Sequence, residues 1–265
     1  MKPPIRLIAS DLDGTLLRHD GTLSDRNKAA LRKAAASGYT IVLASGRPPR
    51  TVLPIAAQLG ITGLAVCSNG AIVYDLAKQA VVATRPASRE ALRDLINRLR
   101  EREPDICFAT EHGSRVGYEP QFPRNANWVE DHPPTIADAH SLCAEDVVKL
   151  AVHHPELAVE ALAELARAVA GEQVSVTFSS RHFIEVAAAG ISKAIGLEQV
   201  CERLGIAAGE AMAFGDMPND IAMLSFVGRG IAVANAHPDV LAEGFEVTAS
   251  NDEDGVAKVI ESLIA

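Results

Sequence analysis

Cysteine is scarce in this chain and badly spaced for structural use. Cys67, Cys107, Cys143 and Cys201 are the only four, and no Cys-x-x-Cys pair occurs. Neither a disulfide framework nor a structural zinc site has the spacing it needs, so a reduced, cytoplasmic protein is expected. Basic charge is short too: 25 Lys and Arg against 34 Asp and Glu give a formal net charge of −9. Nucleic acid and anionic membranes attract basic surfaces, and neither is expected as a partner. No apolar run approaches the length of a membrane span, and residues 1–4 carry no apolar signal region. Aromatic residues make up 4%, with Trp128 the single tryptophan, and the helices read as rich in Ala and Leu. There is no internal repeat and no low-complexity segment.

What is present is an ordinary soluble balance, 48% hydrophobic and 22% charged, over 265 residues. That length allows one large domain or two modest ones with a substantial core. Residues 5–10 form a short apolar run of the kind buried in a parallel sheet. It ends in Asp11-Leu12-Asp13-Gly14-Thr15, two carboxylates one residue apart and a glycine that lets the chain turn. Ser24 then caps a helix to about residue 37, with Gly38 as its left-handed terminator. Residues 40–44 predict a second buried strand ending at Ser45-Gly46-Arg47. Pro48 and Pro49 suit a helix start that Gly60 closes, and residues 64–67 predict a third strand ending at Ser68-Asn69-Gly70. Strand, helix, strand, helix, strand is the pattern of a doubly wound, Rossmann-like parallel sheet.

From about residue 71 the pattern changes. Residues 71–74 and 80–84 predict a hairpin, 88–103 a helix, and 106–110 and 114–118 short strands. Residues 119–145, with four prolines, predict irregular chain. A strand at 147–152, a helix at 155–170 and a hairpin from 174–178 and 182–186 complete an α+β insert. The expected division is a core of residues 1–84 and 188–265 and an inserted domain of 85–187. Helix 192–204, strand 211–214 followed by Gly215-Asp216-Met217-Pro218-Asn219-Asp220, a helix from Pro218, strand 231–233 and helix 252–263 resume the first pattern.

Polar clusters thus stand at successive strand ends, where open α/β sheets place their ligands. Positions i and i+2 of an extended segment point the same way, so Asp11 and Asp13 repel each other by roughly 1 to 4 kcal/mol depending on the local dielectric. A hard cation with oxygen ligands such as Mg²⁺ is the simplest compensation. Lys193 at a helix start and Asp216, Asn219 and Asp220 join the same rim.

Asp-Leu-Asp-Gly-Thr-Leu at 11–16, Ser-Gly-Arg at 45–47, Gly-Ile-Ser-Lys at 190–193 and Gly-Asp-Met-Pro-Asn-Asp at 215–220 resemble the four motifs of the haloacid dehalogenase-like phosphatases. Their order, the place of the insert and the endings at 235–238 and 249–256 resemble the Cof-type subfamily with its type IIB cap. Ala194 stands where that family usually has glycine. The resemblance implies that Asp11 attacks phosphorus to give an aspartyl-phosphate and that Asp13 serves as general acid and base. It implies Mg²⁺ held by the Asp11 carboxylate, the Asp13 carbonyl and Asp216, with Asp220 as ligand or support. Phosphoryl oxygens would be bound by Ser45, the Gly46 and Leu12 amides and Asn219, with Lys193 neutralising charge and Arg47 near the substrate.

The insert would act as a cap that selects the leaving group, through Arg181, His182, Glu185 and residues 119–132 as candidates. His153 and His154, adjacent on a strand, point to opposite faces and are read as surface or core histidines rather than metal ligands, and Trp128 as packing. The expected activity is a Mg²⁺-dependent phosphatase for sugar phosphates or related small phosphorylated metabolites. A sugar phosphomutase and a catalytically silent phosphate-binding protein are the alternatives.

Overall fold

The computed structural model describes residues 4–123, 133–179 and 182–265, and their contacts divide into two compact units. The first comprises the described chain up to Arg47, Thr51–Ala83 and Ser192–Ala265; the second comprises Pro48–Arg50 and Thr84–Ile191.

The chain opens with β1 (Leu7–Ser10), α1 (Asp25–Ala36), β2 (Thr40–Leu43), α2 (Pro49–Leu59), β3 (Leu64–Cys67), β4 (Ile72–Asp75) and β5 (Ala80–Thr84). The insert carries α3 (Arg89–Arg102), β6 (Cys107–Glu111), β7 (Val116–Tyr118), β8 (Thr135–Ile136), α4 (Ala139–Leu142), β9 (Lys149–His153), α5 (Val159–Val169), β10 (Val174–Thr177) and β11 (Ile184–Ala188). It is followed by α6 (Lys193–Leu204), β12 (Ala211–Gly215), α7 (Ile221–Phe226), β13 (Arg229–Val233), α8 (Pro238–Ala242), β14 (Glu246–Thr248) and α9 (Gly255–Leu263).

In the first unit five strands form a wholly parallel sheet in the order β14-β13-β12-β1-β2. Strand β1 lies inside it, pairing Leu7 with Ala211 on one side and Thr40 on the other. All four of its residues are buried, as a parallel strand covered on both faces requires. The third strand departs from the doubly wound expectation. It meets the parallel sheet through a single bridge, Ala44 to Val66, and otherwise forms an antiparallel sheet, β3-β4-β5. A four-residue apolar run reads the same in either pairing, and the hairpin that follows captures it.

Side-chain amides anchor the turn after β1. Asn27 of α1 donates to the Leu16 carbonyl at 2.9 Å and accepts from the Ala257 N–H at 3.0 Å, while Asn251 donates to the Leu17 carbonyl at 2.9 Å. Buried carbonyls left unbonded would destabilise the turn; here Asn27 of α1 and Asn251, in the loop before α9, bond them. Ser24 caps α1 by accepting from the Asn27 N–H, and Gly38 adopts φ +93° beyond its end.

The second unit is a six-stranded sheet, β10-β11-β9-β6-β7-β8, antiparallel except for β7 with β8. Leu92, Leu95, Ile96 and Leu99 of α3 and Leu162, Ala163 and Ala166 of α5 are buried. Cys107, Ala109, Val116, Tyr118, Phe122 and Ala151 form a second apolar cluster, with Phe183 packed on it. The pieces β8, α4, α8 and β14 fall where the sequence predicts no element; each is five residues or fewer, too short to show periodicity.

Candidate active site

The first unit gathers its polar residues where β1, β2 and β12 end. Asp11 follows β1 directly and is buried, its N–H donating to the Phe214 carbonyl at 3.0 Å. The chain then turns at Gly14, φ +77°, so tightly that a Cβ there would stand 2.3 Å from Asp216 Oδ2. Glycine is required on both counts. Thr15 Oγ1 donates to Asp216 Oδ1 at 2.7 Å, and the Asp216 carbonyl accepts from the His237 N–H at 2.8 Å. Asn235 Nδ2 donates to the Gly14 carbonyl at 2.7 Å.

Lys193, the first residue of α6, is fully buried, and its Nζ lies 2.6 Å from Asp11 Oδ1 and 2.7 Å from Asp220 Oδ1. Asp220 is fully buried as well; its Oδ2 accepts from the Asp216 and Met217 amides, both at 3.0 Å. Carboxylate oxygens of Asp11, Asp216 and Asp220 all fall within 4.8 Å of one another. Were all three ionised, the buried carboxylates against one ammonium would leave two negative charges uncompensated among these groups. Burial and the neighbouring carboxylates outweigh Lys193 and push the Asp11 carboxyl well above its ordinary value. Burial and Asp220 push Asp216 up to about 7, although the Thr15 hydrogen bond and Lys193 oppose the shift. Burial disfavours the charge on Lys193, but Asp11 and Asp220 more than reverse this and raise its pKa.

Asp13 takes a different partner. It is half-exposed and receives both arms of Arg47, Nε to Oδ2 at 2.7 Å and Nη2 to Oδ1 at 2.5 Å. Ser45 is buried after β2, and its Oγ accepts from the Arg47 N–H at 3.1 Å. Leu12 is buried between the two aspartates, and Gly46 lies between Ser45 and Arg47. Asn219 is buried, with Nδ2 donating to Asn69 Oδ1 at 2.9 Å. Among the described residues, Asn219 Oδ1 and Ser68 Oγ have no protein partner. Thr15, Asn69 and Asn235 carry no assigned role in the sequence reading. Thr15 stands inside the first motif and Asn69 at the end of the third predicted strand, but their partners lie 201 and 150 residues away, which no local pattern encodes.

In the insert, Glu185 is buried and paired with Lys149 Nζ at 2.7 Å, and it accepts from Ser179 Oγ at 2.8 Å. The His182 carbonyl lies 2.6 Å from His153 Nδ1. His154 Nδ1 accepts from the Glu156 and Leu157 amides at 3.1 and 3.0 Å. Arg181, Trp128 and residues 124–132 lie outside the described residues. Among those described, no helix is long and apolar enough to cross a membrane.

The donor set fits a hard divalent cation. It is all oxygen, its ionised form carries the net negative charge a dication would offset, and two of its carboxyls are pushed upward by burial and mutual repulsion.

The sequence model of a family described as haloacid dehalogenase-like hydrolase matches residues 8–260. A Bacillus subtilis protein named 5-amino-6-(5-phospho-D-ribitylamino)uracil phosphatase YcsE is 30% identical over 260 residues, covering 98% of this chain and 96% of its own. Pyridoxal phosphate phosphatase YbhA of Escherichia coli is 30% identical over 273 residues, covering 97% and 98%. A solved haloacid dehalogenase-like hydrolase from B. subtilis superposes with a TM-score of 0.82 at 26% identity, covering 97% of this chain and 99% of the other.

Proposed function

Because this chain belongs to the haloacid dehalogenase-like hydrolase family, we propose that it is a Mg²⁺-dependent phosphatase of small phosphomonoesters working through an aspartyl-phosphate on Asp11. The observation that carries the reading is the buried Asp11–Lys193–Asp220 arrangement beside Asp216. Relatives named as phosphatases of phosphorylated small molecules support it.

Asp11 Oδ1 is fixed by Lys193, which leaves Oδ2 as the atom to attack phosphorus. As the bond to phosphorus forms, the ester oxygen departs, and Asp13 gives it a proton; Asp13 then takes a proton from the water that hydrolyses the acyl phosphate. For that work Asp13 must leave Arg47, whose guanidinium is then free to meet the phosphoryl group or its neighbourhood. Lys193 offsets the nucleophile's charge in the ground state and the equatorial charge in the transition state. Ser45 Oγ, the Gly46 and Leu12 amides and Asn219 Nδ2 supply hydrogen bonds to the phosphoryl oxygens.

Asp11, Asp216 and the Asp13 carbonyl would hold Mg²⁺, which supplies charge neutralisation between nucleophile and phosphate. Asp220, with one oxygen on Lys193 and the other on two amides, serves to hold the lysine and the Gly215–Asp220 turn. The insert supplies selection of the leaving group.

Phosphate release from an aryl phosphate and a panel of sugar and cofactor phosphates tests the reading. Release is expected with Mg²⁺, none with EDTA, and a loss of roughly 10³-fold or more in Asp11→Asn. Substantial turnover by Asp11→Asn removes the nucleophile assignment. An isomeric sugar phosphate in place of free phosphate indicates a mutase, and binding without turnover a sensor.

A further inference from the structure

Ser68, Asn69 and Gly70, which follow β3, have successive φ values of +49°, +56° and +94°, and all three are buried. Left-handed backbone is disfavoured for residues other than glycine, with Asn among the more tolerant. Such strain persists where the surroundings over-determine it, and it concentrates at functional sites. The surroundings here are the site's own elements. The Asn69 N–H donates to the Ser45 carbonyl at 3.1 Å, and the Ser68 N–H to the Arg47 carbonyl at 2.9 Å. A Cβ on Gly70 would stand 2.0 Å from the Ser192 carbonyl oxygen, one residue before Lys193. Asn69 Oδ1 accepts from Asn219 Nδ2 at 2.9 Å. The turn therefore touches the loop after β2, the start of α6 and the turn after β12 at once.

We infer that Asn69 is a positioning residue for phosphate recognition, acting through Asn219. Its carbonyl oxygen takes one of the two Nδ2 protons of Asn219, which fixes the rotation of that amide and directs the second proton to a phosphoryl oxygen. A neutral acceptor suits the task. Aspartate would accept the same bond but place another negative charge beside the carboxylate cluster and a dianionic substrate. Of the three buried side-chain polar atoms without a protein partner among the described residues, two, Asn219 Oδ1 and Ser68 Oγ, stand at this corner, whose hydrogen bonding a ligand or water completes. The inference rests on the phosphatase reading above.

The test uses Asn69→Gly, which keeps left-handed freedom and removes the side chain, with Asn219→Ala, the double variant and Asn69→Asp. The measurements are kcat and KM on an aryl phosphate, the inhibition constant of inorganic phosphate, and the Mg²⁺ concentration for half-activation. Asn69→Gly is expected to raise KM and the phosphate inhibition constant about 5- to 10-fold, the scale of one hydrogen bond. Half-activation by Mg²⁺ should not move, and in the Asn219→Ala background the added effect should fall below about twofold. Asn69→Asp, nearly isosteric, should weaken phosphate at least as much through its charge. Full additivity of the two substitutions overturns the inference, as do unchanged KM and phosphate inhibition in both Asn69 variants. If Asn69→Gly does not fold, Asn69→Ala, which also removes the acceptor, takes its place with the same expected and overturning results. A wild-type protein that neither binds nor releases phosphate defeats the phosphatase reading and takes this inference with it.

Discussion

Asp216 shows what the site does to a single carboxyl. Burial and Asp220 lift it from the ordinary 3.8 to about 7 in the folded protein without metal. A group whose folded pKa is raised binds its proton more tightly when folded. Its contribution to stability therefore declines as pH rises from about 4 to about 7 and stays lost above. Mg²⁺ competes with that proton, so the gain in melting temperature on adding Mg²⁺ should be small at pH 5 and largest near pH 8. A gain that is constant across this range, measured by thermal unfolding with and without EDTA, would exclude Asp216 and Asp11 as the binding carboxylates. Thr15 tunes the same group, because its hydroxyl donates to Asp216 Oδ1 and holds the pKa down. Thr15→Val should displace the pH window upward, weaken Mg²⁺ half-activation and destabilise the fold by about 1 to 3 kcal/mol. Unchanged half-activation by Mg²⁺ would count against that role.

Elements deliver these residues, and two glycines separate strain from collision. Gly60, past α2, has φ +73° and nothing within 4 Å of the Cβ position; Gly70 has φ +94° and the Ser192 carbonyl oxygen at 2.0 Å. Gly60→Ala should cost about 1 kcal/mol from conformation alone. Gly70→Ala should destabilise by roughly 2 to 4 kcal/mol and lower turnover, because the start of α6 and Lys193 must shift. Equal losses in urea unfolding would mean that the close approach is relaxed without consequence. The same contrast shows which parts of the structure were legible in the sequence. Asp11, Ser45 and Asp216 could be placed because each stands at the end of a short apolar run that reads as a buried strand, and Asp220 follows Asp216 in the same turn. The departure of β3 from the parallel ladder could not, since Leu64-Ala65-Val66-Cys67 carries no sign of its pairing. The Asn69–Asn219 and Thr15–Asp216 hydrogen bonds were hidden for a different reason: they are single contacts between distant segments, and only the folded chain brings them together.

Over the whole molecule, stabilisation by a ligand should be unequal. Each unit has its own buried core and shares no sheet-forming core strand with the other, and units of that kind fold and open largely as separate bodies. Every carboxylate proposed to hold Mg²⁺ lies in the first unit, whereas the insert's buried pair, Lys149 with Glu185, contains no part of that cluster. A ligand that binds only the folded form stabilises by about 2.7 kcal/mol at 100 times its dissociation constant. Mg²⁺ should therefore slow hydrogen exchange in β1, β2, β12 and β13, by up to roughly 100-fold at amides that exchange through opening of that unit, and leave β6, β9 and β11 nearly unchanged. Lys149→Ala should do the reverse. It strands the Glu185 carboxylate in a buried position, a loss of roughly 3 to 5 kcal/mol, so exchange should quicken in β6, β9 and β11 while the Mg²⁺ response of the first unit persists. Uniform protection by Mg²⁺ across all these strands would show instead that the two units open as one, and that the charge balance at the end of β1 stabilises the insert as well.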